Sequence, residues 1–369
     1  MTGIRRAVNI SLVVAAWLMV SVSGTLAHRA GVRGTQALYV ANEGSNTISV
    51  IDVESKKVAA TIPVGAGPQH VAISPDRRYA FVTCGRSRDV WILALPMHTV
   101  VAVVPDATGP GGQTVFGYGG TYAYVTNSLD SRVTVIEVAT GKKVALIPVG
   151  ELPTKIDISP DGGHAYVPSE RSNTVAVLNL SLNVVASELP AGVKPYAVAI
   201  STDGKYLLVS GTGSNTITVI DVGTHKVLRR IPVGEDPHHV VFGPGGSFAY
   251  VLNRASNSVT LLQLANRQVM ATIPVGKEPS DADITPSGGY IYITNMGSND
   301  VSVISTRTSA VVGTIPVGTR PHDIVLSGDG RYAFVANTGS DDISVINLLS
   351  QEGAGRIPVG KQPLGIALW

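Results

Sequence analysis

The chain has 369 residues, among them 40 glycines, 22 prolines and the single cysteine Cys84, with 15% charged residues and a formal charge of +2. Low charge with 44% hydrophobic residues excludes a disordered polyelectrolyte, one cysteine excludes a disulfide scaffold, and glycine without a three-residue period excludes collagen. A turn-rich, apolar, globular chain remains.

Arg5 and Arg6 precede an apolar run, Leu12 to Val22, and small residues ending at Ala27. A basic start, an apolar centre and a small-residue end read as a secretory signal peptide over residues 1–27. The alternative is an uncleaved anchor, for which Ile10 to Ala27 is barely long enough. Residues 28–36 read as a short linker. No later segment is apolar enough to span a membrane, so the expected location is extracytoplasmic: secreted, periplasmic or held at the cell wall.

From residue 37 onward the chain repeats. Ile-Pro-Val-Gly begins at Ile62, Ile147, Ile231, Ile273, Ile315 and Ile357, with degenerate copies at Val104 and Leu189. The spacing of about 42 residues marks a repeat architecture. One unit, Pro279 to Gly318, holds four short segments rich in β-branched and aromatic residues, separated by clusters such as Pro286-Ser287-Gly288-Gly289. These are strand and turn signals with no helical period. Four antiparallel strands per unit make a β-propeller blade. The second-to-fourth strand set occurs eight times, starting near Leu38, and the first strand also occurs eight times, the last after Pro363. The prediction is therefore all-β: a single propeller over residues 37–369 with eight four-stranded blades, its C-terminal strand joining the N-terminal blade.

Tyr124-Val125-Thr126-Asn127 and the near copy Tyr292-Ile293-Thr294-Asn295, with Val50-Ile51-Asp52 and Ser74-Pro75-Asp76 recurring in frame, resemble the YVTN family of bacterial and archaeal β-propellers. The resemblance implies the fold across residues 37–369. Proteins of that type include surface-layer proteins, exported proteins of unknown role, and relatives of haem d1 propellers and of sugar-lactone hydrolases. Fold alone does not choose among them.

Most recurrent residues read as structural. Asp52, Asp221 and Glu137 end the third strand, where a carboxylate accepts bonds from the next turn. Asp76, Asp161, Asp203 and Asp329 sit between strands one and two. The second-strand tyrosines pack between blades.

Functional candidates come from strand direction. First strands are innermost, so the residues after each inner proline line one mouth of the channel: His70, Lys155, Tyr196, His238, His239, Asp281, His322 and Asp323 among them, with Gly111 and Gly112 in the third blade. Four of the chain's eight histidines fall there, and imidazole suits metal binding, haem ligation or proton transfer. His70 and His239 lie in opposed blades, two and six. They suit the flanks of a large planar cofactor, as the resemblance to haem d1 propellers implies, better than one shared metal. His322, Asp323 and Asp281 come from adjacent blades and form the candidate metal set, with mixed N/O ligands suited to zinc or another divalent ion. Blade two departs from the repeat at Cys84-Gly85-Arg86-Ser87-Arg88-Asp89 and at Trp91, as a partner contact or as simple drift.

Acidic residues outnumber basic ones on this end in blades seven, eight and one, and no basic stripe is present, which speaks against nucleic acid. No nucleophile-elbow, helix-borne zinc, phosphate-loop or dinucleotide motif occurs. The sequence points to an exported, monomeric propeller that binds a small molecule or protein at the channel mouth. The alternative is a haem- or metal-dependent enzyme or cofactor carrier, or a lactone hydrolase, using the same histidines.

Overall fold

The computed structural model describes residues 36–369. The export segment read at residues 1–27, and the linker up to residue 35, lie outside the described residues. Among the described residues the strands form eight four-stranded antiparallel sheets, and no helix is long and apolar enough to cross a membrane. The eight-bladed propeller expected from the repeat is what the chain forms. Blade two is typical: Pro68–Ile73 innermost, then Tyr79–Cys84, Asp89–Ala94 and Thr99–Val104 outermost.

Blade one is built from both ends of the repeat array. Its inner strand is Pro363–Leu368, which pairs antiparallel with Ala37–Asn42. Ala37 and Trp369 exchange backbone hydrogen bonds of 3.2 and 2.7 Å. Every residue of Ala37–Asn42 is buried, and without the C-terminal strand this segment would present a bare backbone edge.

Burial follows the repeat. The second and third strands of each blade are largely buried on both faces because each sheet packs between two others. Tyr39, Tyr124, Tyr166 and Tyr292, at the third position of their strands, are fully buried. Tyr79, Tyr122, Tyr206, Tyr290 and Tyr332, which open theirs, are partly exposed. The expected packing between blades holds for the first group, and Tyr79, Tyr122, Tyr206 and Tyr332 also pack, partly buried, against clusters that span two blades.

The asparagines are internal fasteners. The amide of Asn295 donates to the Asp300 carboxylate at 2.7 Å and the Ser302 hydroxyl at 2.8 Å. Asn42, Asn253 and Asn337 make the same kind of paired hydrogen bonds to the next strand. The hairpin residues Asn46, Asn173, Asn215, Asn257 and Asn299 have positive φ, a region Asn enters more readily than most residues. Each accepts a backbone N–H from the next fourth-to-first connection, at 2.8 to 3.1 Å. These bonds hold both kinds of loop at one end of the ring. Asp52 accepts from Ser55 N–H and Asp221 from Thr224 N–H, both at 2.7 Å, as expected of turn acceptors. Glu137 instead accepts the Thr140 hydroxyl.

Six inner strands run six residues from their proline. Two do not: blade three keeps only Thr114–Phe116 and blade four only Asp157–Ile158. In blade three, Gly111 and Gly112 follow the proline, and Gly111 has φ 74°. In blade four, Pro168 stands where blades two, three and seven have Thr83, Thr126 and Thr294. It has no N–H for the ladder, and after the Pro153–Ser169 bridge pairing resumes only at Asp157.

A chain lacking residues 363–369 loses the inner strand of blade one. Its thermal midpoint in a melting scan is expected to fall by at least about 5 °C. An unchanged midpoint would show that the closing strand is dispensable.

Candidate functional site

The inner strands bring the predicted residues together. His70, Lys155, Tyr196, His238, His239, Asp281, His322 and Asp323 all line one cavity of about 470 Å³ at the channel mouth, alongside Gln69, Gln113, Asp157 and Ser280. Every blade contributes, and the wall between the polar groups includes Val115, Ile156, Val198, Val240 and Leu364.

The carboxylates are largely used by the backbone. Inner strands of neighbouring blades do not pair as a sheet, so their inward N–H groups need other partners. The preceding blade supplies them. Asp157 accepts Ile200 N–H at 2.9 Å and Asp281 accepts Ile324 N–H at 3.2 Å. Asp283 accepts Leu326 N–H and Asp323 accepts Ile366 N–H, both at 2.9 Å. The Gln113 side-chain carbonyl does the same for Ile156 at 3.1 Å. Asp157, Asp283 and Gln113 escaped the sequence reading. Asp283 carries a readable signal, since it lies two residues beyond Asp281 and therefore on the same strand face.

Two of the YVTN threonines hold this layer from behind. Thr294 Oγ1 accepts Asp281 N–H at 3.1 Å and donates to the His322 carbonyl at 3.3 Å. Thr126 likewise accepts Gln113 N–H and donates to the Thr154 carbonyl.

Burial raises all four acids, Asp157 to about 6. Asp281 and Asp323 also hydrogen-bond each other, and Asp323 is raised well above the usual carboxylate range, by burial first and then by the Asp281 charge. Two half-buried carboxyls in contact are cheapest when they share one proton.

This arrangement corrects the metal reading of His322, Asp323 and Asp281. Among the described residues no group of three or more His, Cys, Asp or Glu side chains could hold a metal ion. The two carboxylates already face backbone N–H groups and each other.

The histidines are differently placed. His239 has its Nδ1 3.4 Å from Asp281 Oδ1 and is 32% exposed, to the channel. His70, His238 and His322 each have a buried Nδ1 with no hydrogen-bond partner. His238 stacks on Tyr196, ring centroids 4.2 Å apart and planes at 23°. Burial lowers His70 and His238 to about 3 and His239 to about 4, and it lowers His322 as well. The Lys155 charge pushes all four in the same direction and lowers Asp281 in turn. Lys155 itself is half-buried and has no hydrogen bond or ion pair among the described residues.

The tautomers follow. An unpaired buried N–H costs more than an unpaired lone pair, so the neutral rings of His70, His238 and His322 keep the proton on Nε2. A metal-ligating imidazole ordinarily donates its second N–H to a carboxylate or carbonyl. Among the four, His239 alone has such a partner. The mouth therefore presents imidazole N–H donors and one free ammonium, suited to hydrogen-bond acceptors and negative charge.

Comparison with known proteins agrees on a propeller. The antigen Lp49 of Leptospira interrogans is 28% identical over 125 residues, 34% of this chain, and the match spans only 21% of that antigen's length. The dihydro-haem d1 dehydrogenase NirN, solved in complex with DHE, superposes with a TM-score of 0.77 at 18% identity, over 90% of this chain and 74% of NirN. Hydrazine synthase of Kuenenia stuttgartiensis gives a TM-score of 0.63 at 24% identity, over 76% of this chain and 95% of that one. Both structural likenesses concern the fold. The profile of the family described as lactonase, 7-bladed β-propeller matches residues 97–226, 147–270 and 224–356, three ranges that overlap. Those matches run across blades two to eight and well over half of the sequence, and the chain belongs to that lactonase-type propeller family as an eight-bladed member.

Proposed function

We propose that this propeller binds a small anionic molecule, a carboxylate or phosphate, in the channel mouth. The observation that carries the reading is the unpaired Lys155 ammonium among imidazoles whose buried Nδ1 atoms lack partners. Neutral rings with Nε2–H facing the cavity donate to an oxyanion without adding charge, and Lys155 supplies the charge. In this reading the acids staple the ring rather than hold the ligand. The basic and apolar character of residues 5–27 supports action outside the cytoplasm, and the protein acts as a monomer.

The His239–Asp281 pair supports a second reading. A carboxylate-oriented imidazole is the arrangement of a general base, which would serve lactone opening, and of a residue that would hold a haem-type group through its other ring nitrogen. A haem-type group would supply redox chemistry when bound, and its carboxylates would suit Lys155 and the neutral imidazoles.

Lys155→Met is expected to weaken acetate and phosphate binding at least about tenfold, since a charge-assisted hydrogen bond contributes roughly 1.5–3 kcal/mol; unchanged affinity removes the anion site. The imidazole Cε1 protons of His70, His238 and His239 are expected to show no titration in NMR spectra between pH 8 and 5, because their pKa values lie near 3 to 4. The unfolded rings titrate near 6.5. Stability is therefore undiminished by these groups above that pH, and is lost as pH falls from there toward 4, where the unfolded state alone binds the protons. A midpoint above 6 in the folded protein contradicts the buried neutral state. Under the second reading, haem added to the purified protein is expected to give a Soret shift that His239→Ala abolishes and His70→Ala retains. Equal spectra for both variants count against His239 as the ligand.

A further inference from the structure

A second, smaller cavity of about 180 Å³ lies between blades three and four at the same end of the ring. It shares Gly111, Lys155 and Tyr196 with the channel mouth, so the two cavities are neighbours bordered by the same lysine. Beyond that junction Pro110, Leu152 and Pro153 give it an apolar wall, with Ser128 and Glu170 beside them.

The sequence explains why the opening occurs here. Blades three and four are neighbours, and theirs are the two short inner strands. Blade three has glycines where blade two has Gln69 and His70, and a β-carbon placed on Gly111 would meet nothing within 4 Å. Pro168 withholds a ladder bond in blade four; Thr154 N–H still donates to the Pro168 carbonyl at 3.1 Å, and regular pairing resumes only at Asp157. Leu152, at φ 56°, keeps the positive φ that Lys194, Asp236, Glu278, Arg320 and Gln362 have before their own inner prolines, so the turn into the strand is the ordinary one of the repeat. Two independent departures from the repeat fall on the same inter-blade boundary and end at the same lysine.

We infer that the ligand of the channel mouth is an elongated carboxylate, with its anionic head at Lys155 and an apolar arm lying in the cleft between blades three and four. This rests on the anion-binding reading above and adds the shape and polarity of the ligand. The head is fixed by charge and imidazole N–H donors. The arm gains from leaving water for a wall of proline, leucine and tyrosine carbon. The cleft thus selects on chain length, a property the head-binding residues alone would lack.

The test compares acetate with hexanoate, which differ only in the arm. Dissociation constants come from NMR titration of the histidine ring protons in the purified protein. Hexanoate is expected to bind at least about tenfold more tightly than acetate, because each methylene buried adds to the affinity. Ser128→Phe places a ring in the cleft at a position outside the channel lining, and should erase the difference while leaving acetate binding as it was. Leu152→Asn removes apolar wall at a position where Asn accepts the positive φ, and should weaken hexanoate selectively. Acetate binding with no gain for hexanoate overturns the arm and leaves the anion site standing. A gain that survives both substitutions places the arm elsewhere and also overturns the inference. Failure of both carboxylates to bind overturns the anion reading and the arm together.

Discussion

The molecule is organised by the unpaired inner edges of its blades. Eight sheets radiate from the channel, and the inner strand of each has a row of backbone groups that no neighbouring strand reaches. Buried N–H groups without partners are costly. Asp157, Asp281, Asp283, Asp323 and Gln113 meet that demand by reaching from one blade to the backbone of the next. These blades are thereby tied to one another around the channel by side chains rather than by a continuous sheet.

The character of the mouth follows from that use of acids. Carboxylates committed to backbone N–H groups, and to each other in the Asp281–Asp323 pair, are poor cation ligands. In the anion-binding reading proposed above, Lys155 and the neutral histidines are the groups left to meet a ligand. The mouth is polar and rich in donors even though acids line it. The acids are not kept to one side of the channel: Asp157 shares blade four with Lys155, while Asp281, Asp283 and Asp323 belong to blades seven and eight.

The irregular blades keep the ring closed by other means. Pro168 occupies the position from which Thr126 and Thr294 accept an N–H of their own inner strand and donate to the next blade. Without that hydroxyl, blade four keeps a two-residue inner strand but retains the Asp157 staple to Ile200. The ring stays closed while the wall beside Lys155 opens. Blade two departs in another way: Cys84 occupies the position of the fastening asparagines, and burial pushes its thiol far up from the range of a reactive cysteine.

The sequence by itself determined the architecture. A 42-residue period, turn clusters between β-branched runs and a first strand left over at the C-terminus have an eight-bladed closed ring as their consistent solution, because strand edges must be paired. It also determined which residues face the channel, since position after the inner proline and alternation along a strand are local properties. The tertiary structure decided what those residues do. Asp281 and Asp323 look like ligands in the sequence and are staples in the fold, because their partners are backbone N–H groups of other blades, invisible to any local pattern. Pro168 and Gly111 look like unrelated lapses of the repeat. The two shortened inner strands they accompany come to flank one cleft only because the ring sets blades three and four side by side.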